Sequence, residues 1–399
     1  MDTVIEESGF CPKRLGNVDA YLRRLVDSGE VAGVGALVTR RGRTAYRKSF
    51  GMRDVRNALP AQNDTIYRIY SMTKTFTIVA AMTLYEKGLF KLRDPIAEFL
   101  PAFKSMKVAE HDERGTVNLV PAKNPITVGH LFTMTSGIPY PGPGSFSSRA
   151  FLEIQARCSG SSVTTAEIAD AVAEVPLCFH PGEYWMYGFS HDILGRLIEV
   201  ISGKRLGEYL AEIIFTPLGL EDTAFYVPKE KRSRLAKAYT LAETGLMEIH
   251  GLATDPGEYS ETPAFESGGG GLVSTLDDMG RYGNLLLNFG KLDGYRLLSR
   301  KTIELIRQDH CNPAHIRAWG FTAQQGYGYG LGVRSMNSTA AAGLNGSPGE
   351  WGWDGMLGTC FCVDPEEDLV AVFMIQRVPG SLEDLAKRFA QTVYGAIDD

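Results

Sequence analysis

The chain has no uninterrupted apolar run of about 18 residues, the length that reads as a membrane-spanning helix. Its start, Met1-Asp-Thr-Val-Ile-Glu-Glu-Ser-Gly-Phe10, lacks the basic residues and apolar core of a secretory leader, so a soluble cytoplasmic protein is the expectation. Cysteine is sparse. Cys11, Cys158, Cys178, Cys311, Cys360 and Cys362 show neither CxxC spacing nor paired histidines, which argues against a zinc centre and against a disulfide scaffold. No metal and no cofactor are therefore expected. Cationic excess is missing too: 41 Lys+Arg against 47 Asp+Glu leave a net charge of −6. That provides no electrostatic footprint for nucleic acid or an anionic membrane, so neither is expected as a partner. The Gly-x-Ser-x-Gly elbow of many hydrolases is also absent, as are internal repeats.

What remains is an ordinary globular composition, 44% apolar and 22% charged over 399 residues. Cys360 and Cys362 are two apart and share a strand face, where they read as small buried hydrophobes. Residues 19–28 are amphipathic and predict a helix, and residues 31–39 and 44–50 are β-prone runs around Arg40-Arg41-Gly42-Arg43, a hairpin pattern. Helical patterns follow at 71–89, 126–135, 164–175, 190–201, 206–215, 277–288 and 299–309. Residues 104–125 are polar and predict an irregular loop, and 226–271 predict a loop-rich stretch ending in Gly268 to Gly271. Strand patterns return at 329–334, 358–363 and 369–376, before an amphipathic closing helix at 382–394. Strands thus gather at both chain ends and helices fill the middle. One antiparallel sheet built from both ends, with a helical insertion, accounts for this better than a string of domains. The expected fold class is α/β (α+β): a single unit over 15–395, in which 15–70 and 320–395 form the sheet part and 71–319 the mostly helical part with loops.

The chemistry centres on Ser71-Met-Thr-Lys74, at the start of an apolar helical run. Residues i and i+3 share a helix face, which sets the Lys74 amine beside the Ser71 hydroxyl. A serine hydroxyl is a poor nucleophile at neutral pH and needs a neighbour that takes its proton. Lysine can do this, or assist, if a desolvated pocket lowers its pKa. The four-residue pattern is weak by itself, because serine at a helix start is most often an N-cap. The rigid Tyr140-Pro-Gly-Pro-Gly144 segment cannot be regular structure and is the kind of loop that edges a site, with Tyr140 as a candidate substrate contact. His130, His180 and His191 are expected in structural roles, with His191 near the cleft.

Ser71-Met-Thr-Lys74, His130-Leu-Phe-Thr-Met-Thr-Ser-Gly137, Tyr187-Gly-Phe-Ser-His-Asp-Ile-Leu-Gly195, Phe215-Thr-Pro-Leu-Gly219, Gly268 to Leu272 and Trp351-Gly-Trp-Asp-Gly355 occur in one order along the chain. That order resembles the serine β-lactamase and penicillin-binding protein superfamily. The resemblance is to its class C β-lactamase-like branch, which holds the family VIII carboxylesterases and the acyltransferases of statin biosynthesis. It implies a β-lactamase/transpeptidase-like fold, an antiparallel sheet flanked by helices plus an all-helical domain, with the site in the cleft between them. It also implies Ser71 as the acylated nucleophile, Lys74 as its proton partner and Tyr187 as general base or shuttle. Backbone N–H groups of Ser71 and Met356 would form the oxyanion hole.

Two departures bear on substrate. Trp353, followed by Asp354 and Gly355, stands where a lysine would hold a substrate carboxylate, and Phe189 replaces an asparagine that would bind an acylamino group. Both make the cleft more apolar, and Asp354 is expected to repel anions. The leading expectation is a serine hydrolase acting on small neutral carboxylic esters, with acyl transfer to an alcohol or amine as a neighbouring possibility. A β-lactamase or D,D-peptidase, and a non-catalytic scaffold that retains the fold, are the competing readings.

Overall fold

In the computed structural model, residues 2–158, 162–243, 245–251, 259–312, 314–315, 325–380 and 384–399 are described. The first two residues of the expected closing helix, 382 and 383, and the side chain of Cys158 lie outside that set.

The architecture is organised by one antiparallel sheet whose strands come from both ends of the chain. They are β1 (Gly33–Arg40), β2 (Arg43–Asp54), β3 (Leu59–Pro60), β4 (Tyr327–Tyr329), β5 (Arg334–Met336), β6 (Trp351–Asp354), β7 (Cys360–Asp364) and β8 (Leu369–Met374), in the spatial order β4-β5-β6-β7-β8-β1-β2-β3. First and last segments meet where β1 pairs with β8, Gly35 opposite Met374 and Arg40 opposite Leu369. Both faces of these central strands are apolar because helices cover both. On one face α1 (Pro12–Asp27) and α5 (Leu385–Tyr394) bury Val18, Leu22, Phe389 and Val393 against Val34, Ala36, Val38, Ala371 and Phe373. On the other, α4 (Leu276–Leu287) brings Leu276, Met279 and Tyr282 onto Leu37, Val370 and Val372.

That second face continues into the helical part around α2 (Thr73–Glu86), whose residues Thr73 to Leu84 are all buried. A helix buried on every side belongs inside a core, and its polar groups, Lys74 among them, must find partners there. α3 (Ser190–Ser202) packs beside it and ends at Gly203 in the left-handed conformation, as the sequence suggests.

Two expectations need correction. Residues 104–125 are not irregular: Lys107–His111 and Val117–Pro121 form a hairpin around a turn in which the Asp112 carboxylate accepts from the Arg114 and Thr116 amides. Its strands are mostly exposed, so they carry little apolar signal. It is fixed instead by a distant segment, through hydrogen bonds from Ala109 N to Leu177 O (3.0 Å) and from Leu177 N to Lys107 O (2.7 Å). The pattern at 329–334 is likewise not one strand but the turn between β4 and β5, where Gly330 and Gly332 flank buried Leu331. Within the loop-rich 226–271 stretch, Ala238–Ala242 and Gly245–Ile249 pair as a further hairpin. Among the described residues no helix is long and apolar enough to cross a membrane.

Candidate active site

The chain enters α2 through a 3-10 turn, Tyr70–Met72, so Ser71 sits in a tight turn just ahead of the helix. Tyr70 has φ +42°, a left-handed conformation that costs energy for any residue but glycine. It is held there by burial among Ala238 and Leu357. The N-cap alternative for Ser71 fails, because Ile69 caps the 3-10 turn and Met72 caps α2, neither through a side-chain hydrogen bond.

Lys74, one turn on, is 0% exposed. Its ammonium has three N–H donors and meets three acceptors: Ser71 Oγ at 3.0 Å, Tyr140 Oη at 3.0 Å and the Gly269 carbonyl. Burial acts to lower its pKa, but the Tyr140 and Tyr187 phenols and the Asp192 carboxylate outweigh burial and the net shift is upward. The condition for Lys74 to act as a neutral base, a pKa lowered by its pocket, is not met: Lys74 rests as a cation. Burial raises the pKa of Tyr140 as well, against the pull of Lys74, so that phenol rests protonated. Tyr140 is therefore more than a substrate contact on the rim; its hydroxyl is bonded directly to the lysine. Only the Pro/Gly frame of its loop marked it in the sequence.

Tyr187 precedes α3 and stands between Tyr140 and Trp353. Its ring lies 5.6 Å from Tyr140 and 5.6 Å from Trp353, with the Lys74 Nζ 4.8 Å from its centroid. The Trp353 indole Nε1–H donates to Tyr187 Oη at 3.0 Å, a bond no sequence pattern pointed to. Such a donor stabilises a phenolate more than a phenol. Phe189, the residue just before α3, sits edge-on to Tyr140 at 6.2 Å and to Phe151 at 5.0 Å, and stacks with Phe265 at 6.0 Å. It thus belongs to an aromatic wall beside Tyr140.

β6 carries the remaining elements. Its alternation puts Trp351 and Trp353 on the cleft face and Gly352 and Asp354 on the other. Asp354 therefore does not face a substrate. It binds Arg334 Nη1 at 2.6 Å on the opposite face, and the expected repulsion of anions by its charge is withdrawn. Past the strand, Gly355 packs so closely on the turn before Ser71 that a Cβ there would lie 2.5 Å from the Ile69 carbonyl oxygen. Thr359 Oγ1 also donates to that oxygen at 3.3 Å. The turn's own bonds employ the Gly355 and Gly358 amides, donating to Thr359 O and Gly355 O, and Met356 lies between them with its side chain exposed.

The three histidines serve structure. His130 closes a capping box with Thr127, and burial lowers its pKa to about 4. His180 bonds Glu110 at 2.9 Å. His191 is fully buried on α3, with Nε2 bonded to Phe132 O at 3.2 Å, and burial together with the Lys74 charge lowers its pKa to about 3. Among the described residues no cluster of three or more His, Cys, Asp or Glu could hold a metal ion.

A serine in a tight turn, a lysine bonded to it, two tyrosines around that lysine and a strand edge beside the turn define one class of protein. The chain belongs to the Beta-lactamase family, whose model matches residues 18–394. Within it, this chain is 33% identical to Protein Rv1367c of Mycobacterium tuberculosis over 93% of this chain and 92% of that one. It is 27% identical to Esterase EstB of Burkholderia gladioli, over 87% and 86% of the two chains. The solved structure of EstCE1, a hydrolase with promiscuous acyltransferase activity, superposes with a TM-score of 0.79 at 25% identity, covering 97% of this chain and 99% of that one. The protein is a serine hydrolase of this family, related to esterases and acyltransferases.

Proposed function

We propose that the protein cleaves small neutral carboxylic esters through an acyl-enzyme on Ser71. The observation that carries this reading is the bond between Lys74 Nζ and Ser71 Oγ, made by a lysine that remains a buried cation beside two phenols. Tyr187 takes the Ser71 proton as Ser71 Oγ bonds to the ester carbonyl carbon. It does so as a phenolate, which the Trp353 N–H and the Lys74 charge stabilise, the more so in a water-poor site, and which becomes a phenol on taking that proton. The tetrahedral oxyanion is held by the Ser71 and Met356 backbone amides. As the carbonyl re-forms, the alkoxide leaves and takes the proton from Tyr187. Water then enters by the same route: Tyr187 removes its proton, the Ser71 ester bond breaks, and the carboxylic acid departs with Ser71 reprotonated. An alcohol in place of water gives acyl transfer.

The aromatic walls support a neutral substrate. Trp353 occupies the place of an anion-binding lysine, and Phe189, packed on Phe151 and Phe265, that of an acylamino-binding asparagine. The test compares wild type and Ser71→Ala on p-nitrophenyl butyrate and on nitrocefin. Ester turnover that vanishes in the variant, with kcat/KM at least about 100-fold above that for nitrocefin, is the expected result. Equal or faster nitrocefin turnover would contradict the neutral-ester reading.

A further inference from the structure

Lys74 poses a problem of charge. It is an ammonium without solvent contact, and the three groups it donates to, Ser71 Oγ, Tyr140 Oη and Gly269 O, are all neutral. A buried cation with only neutral partners is costly, and an opposite charge nearby is the usual remedy. Among the described residues the titratable groups facing it are Tyr140, Tyr187, His191 and Asp192, and of these only Asp192 is an acid of low ordinary pKa.

Asp192 is 2% exposed and lies in the first turn of α3, where the helix dipole favours a negative charge. One of its oxygens, Oδ1, accepts from Ser267 Oγ at 2.5 Å and from the Gly269 amide at 3.1 Å, the acceptor-only pattern of a carboxylate. Gly269 is thus gripped from both sides, its N–H by Asp192 and its carbonyl by Lys74. The rest of the glycine run is docked on α2: Gly268 O accepts from Thr77 Oγ1 at 2.8 Å, and Leu272 N donates to Thr73 Oγ1 at 3.0 Å. The absence of a side chain at 269 is required, because a Cβ there would stand 2.3 Å from Asp192 Oδ2. The run of four glycines is what lets a backbone ledge pass between a buried acid and a buried base.

We infer that Asp192 is a positioning residue: the buried counter-charge that keeps Lys74 protonated and, through Gly269, keeps its ammonium aimed at Ser71 and Tyr140. Burial pushes the Asp192 pKa up, while Lys74 and the Ser267 and Gly269 donors oppose that rise. The catalytic consequence rests on the reading of Ser71 as nucleophile, whereas the charge state of Lys74 does not.

The test therefore has two independent readouts on the intact protein. The first follows Lys74 by NMR of ε-13C-lysine, assigned with Lys74→Met. In wild type its signal should stay that of an ammonium to beyond pH 10, and in Asp192→Asn it should titrate at least about one unit lower. The second is the pH profile of ester hydrolysis. Asp192→Asn should lower kcat about tenfold with KM changed less than about twofold, and should move the alkaline limb to lower pH, with Asp192→Glu recovering part of the loss. A folded Asp192→Asn with the Lys74 titration and alkaline limb of wild type overturns the inference. If that variant does not fold, wild type decides: a Lys74 signal that loses its proton below pH 8 overturns it equally. Wild type that shows a high Lys74 pKa but no ester turnover would sink the proposed function and leave the counter-charge standing.

Discussion

Trp353 and Asp354 are neighbours in β6 that project to opposite faces of one sheet, each beside a buried polar cluster, and the two clusters are built on different terms. On the far face, Arg334 meets Asp354, while Tyr394 of α5 donates to Asp364 Oδ2 at 2.7 Å and lies 3.3 Å from Glu350 Oε2. Arg334 and Asp354 are paired directly there, and Tyr394 brings the end of α5 onto the neighbouring carboxylates. On the cleft face, the Lys74 cation is bonded to neutral oxygens, one of them the hydroxyl of half-buried Ser71. Direct pairing gives a locked cluster. A cation held at one remove from its counter-charge, with its donors on a nucleophile and a phenol, leaves a cluster able to pass a proton.

The comparison predicts that substitutions on the two faces separate activity from stability. Ser71→Ala should lower kcat for p-nitrophenyl butyrate by about 10⁴-fold or more, with the thermal midpoint nearly unchanged. Lys74→Met should lower kcat by about 10³-fold while leaving the fold as stable as wild type or more so, since a buried ammonium is replaced by a thioether of similar length. On the far face the pattern should reverse. Arg334→Met leaves Asp354 without its partner and should cost roughly 3 kcal/mol in urea unfolding while kcat stays within about threefold. Loss of activity without loss of stability in Arg334→Met would erase the distinction between the faces.

Much of this was legible in the sequence, and the limits have physical causes. The i, i+3 spacing of Ser71 and Lys74 sets their contact because helix geometry is local, and the strands at both chain ends imply a shared sheet. Asp354 was misjudged because reading its role requires knowing which face of β6 borders the cleft, and only pairing with β5 and β7 decides that. Tyr140 bonds Lys74, and Asp192 is tied to it through Gly269, from positions 66 and 118 residues away along the chain, proximities that no local periodicity encodes. The hairpin of Lys107–His111 and Val117–Pro121 was hidden for the same reason, its order coming from backbone bonds to Leu177.

Two smaller effects sharpen the contrast. Trp353→Phe keeps the aromatic wall but removes the N–H that reaches Tyr187, and should lower kcat about tenfold with little change in KM. On the far face, the single Tyr394 proton cannot serve both carboxylates, and burial pushes the Glu350 pKa up from 4.5 to about 7. The folded state then holds a proton that the unfolded chain releases between those values, so stability falls as pH rises through that window and levels off above it. Glu350→Gln should therefore gain about 2 kcal/mol over wild type at pH 8 and nothing at pH 4, measured by urea unfolding at both. A gain of equal size at both pH values would mean that packing, and not a proton, sets the difference.

Whether Ser71 carries the acyl group is read from intact-protein mass spectrometry of a rapidly quenched reaction with p-nitrophenyl butyrate. The expected result is a mass increase of one butyryl group, located by peptide mapping to Ser71 and absent in Ser71→Ala. Ester turnover with the adduct on another residue, or undiminished in Ser71→Ala, would contradict it.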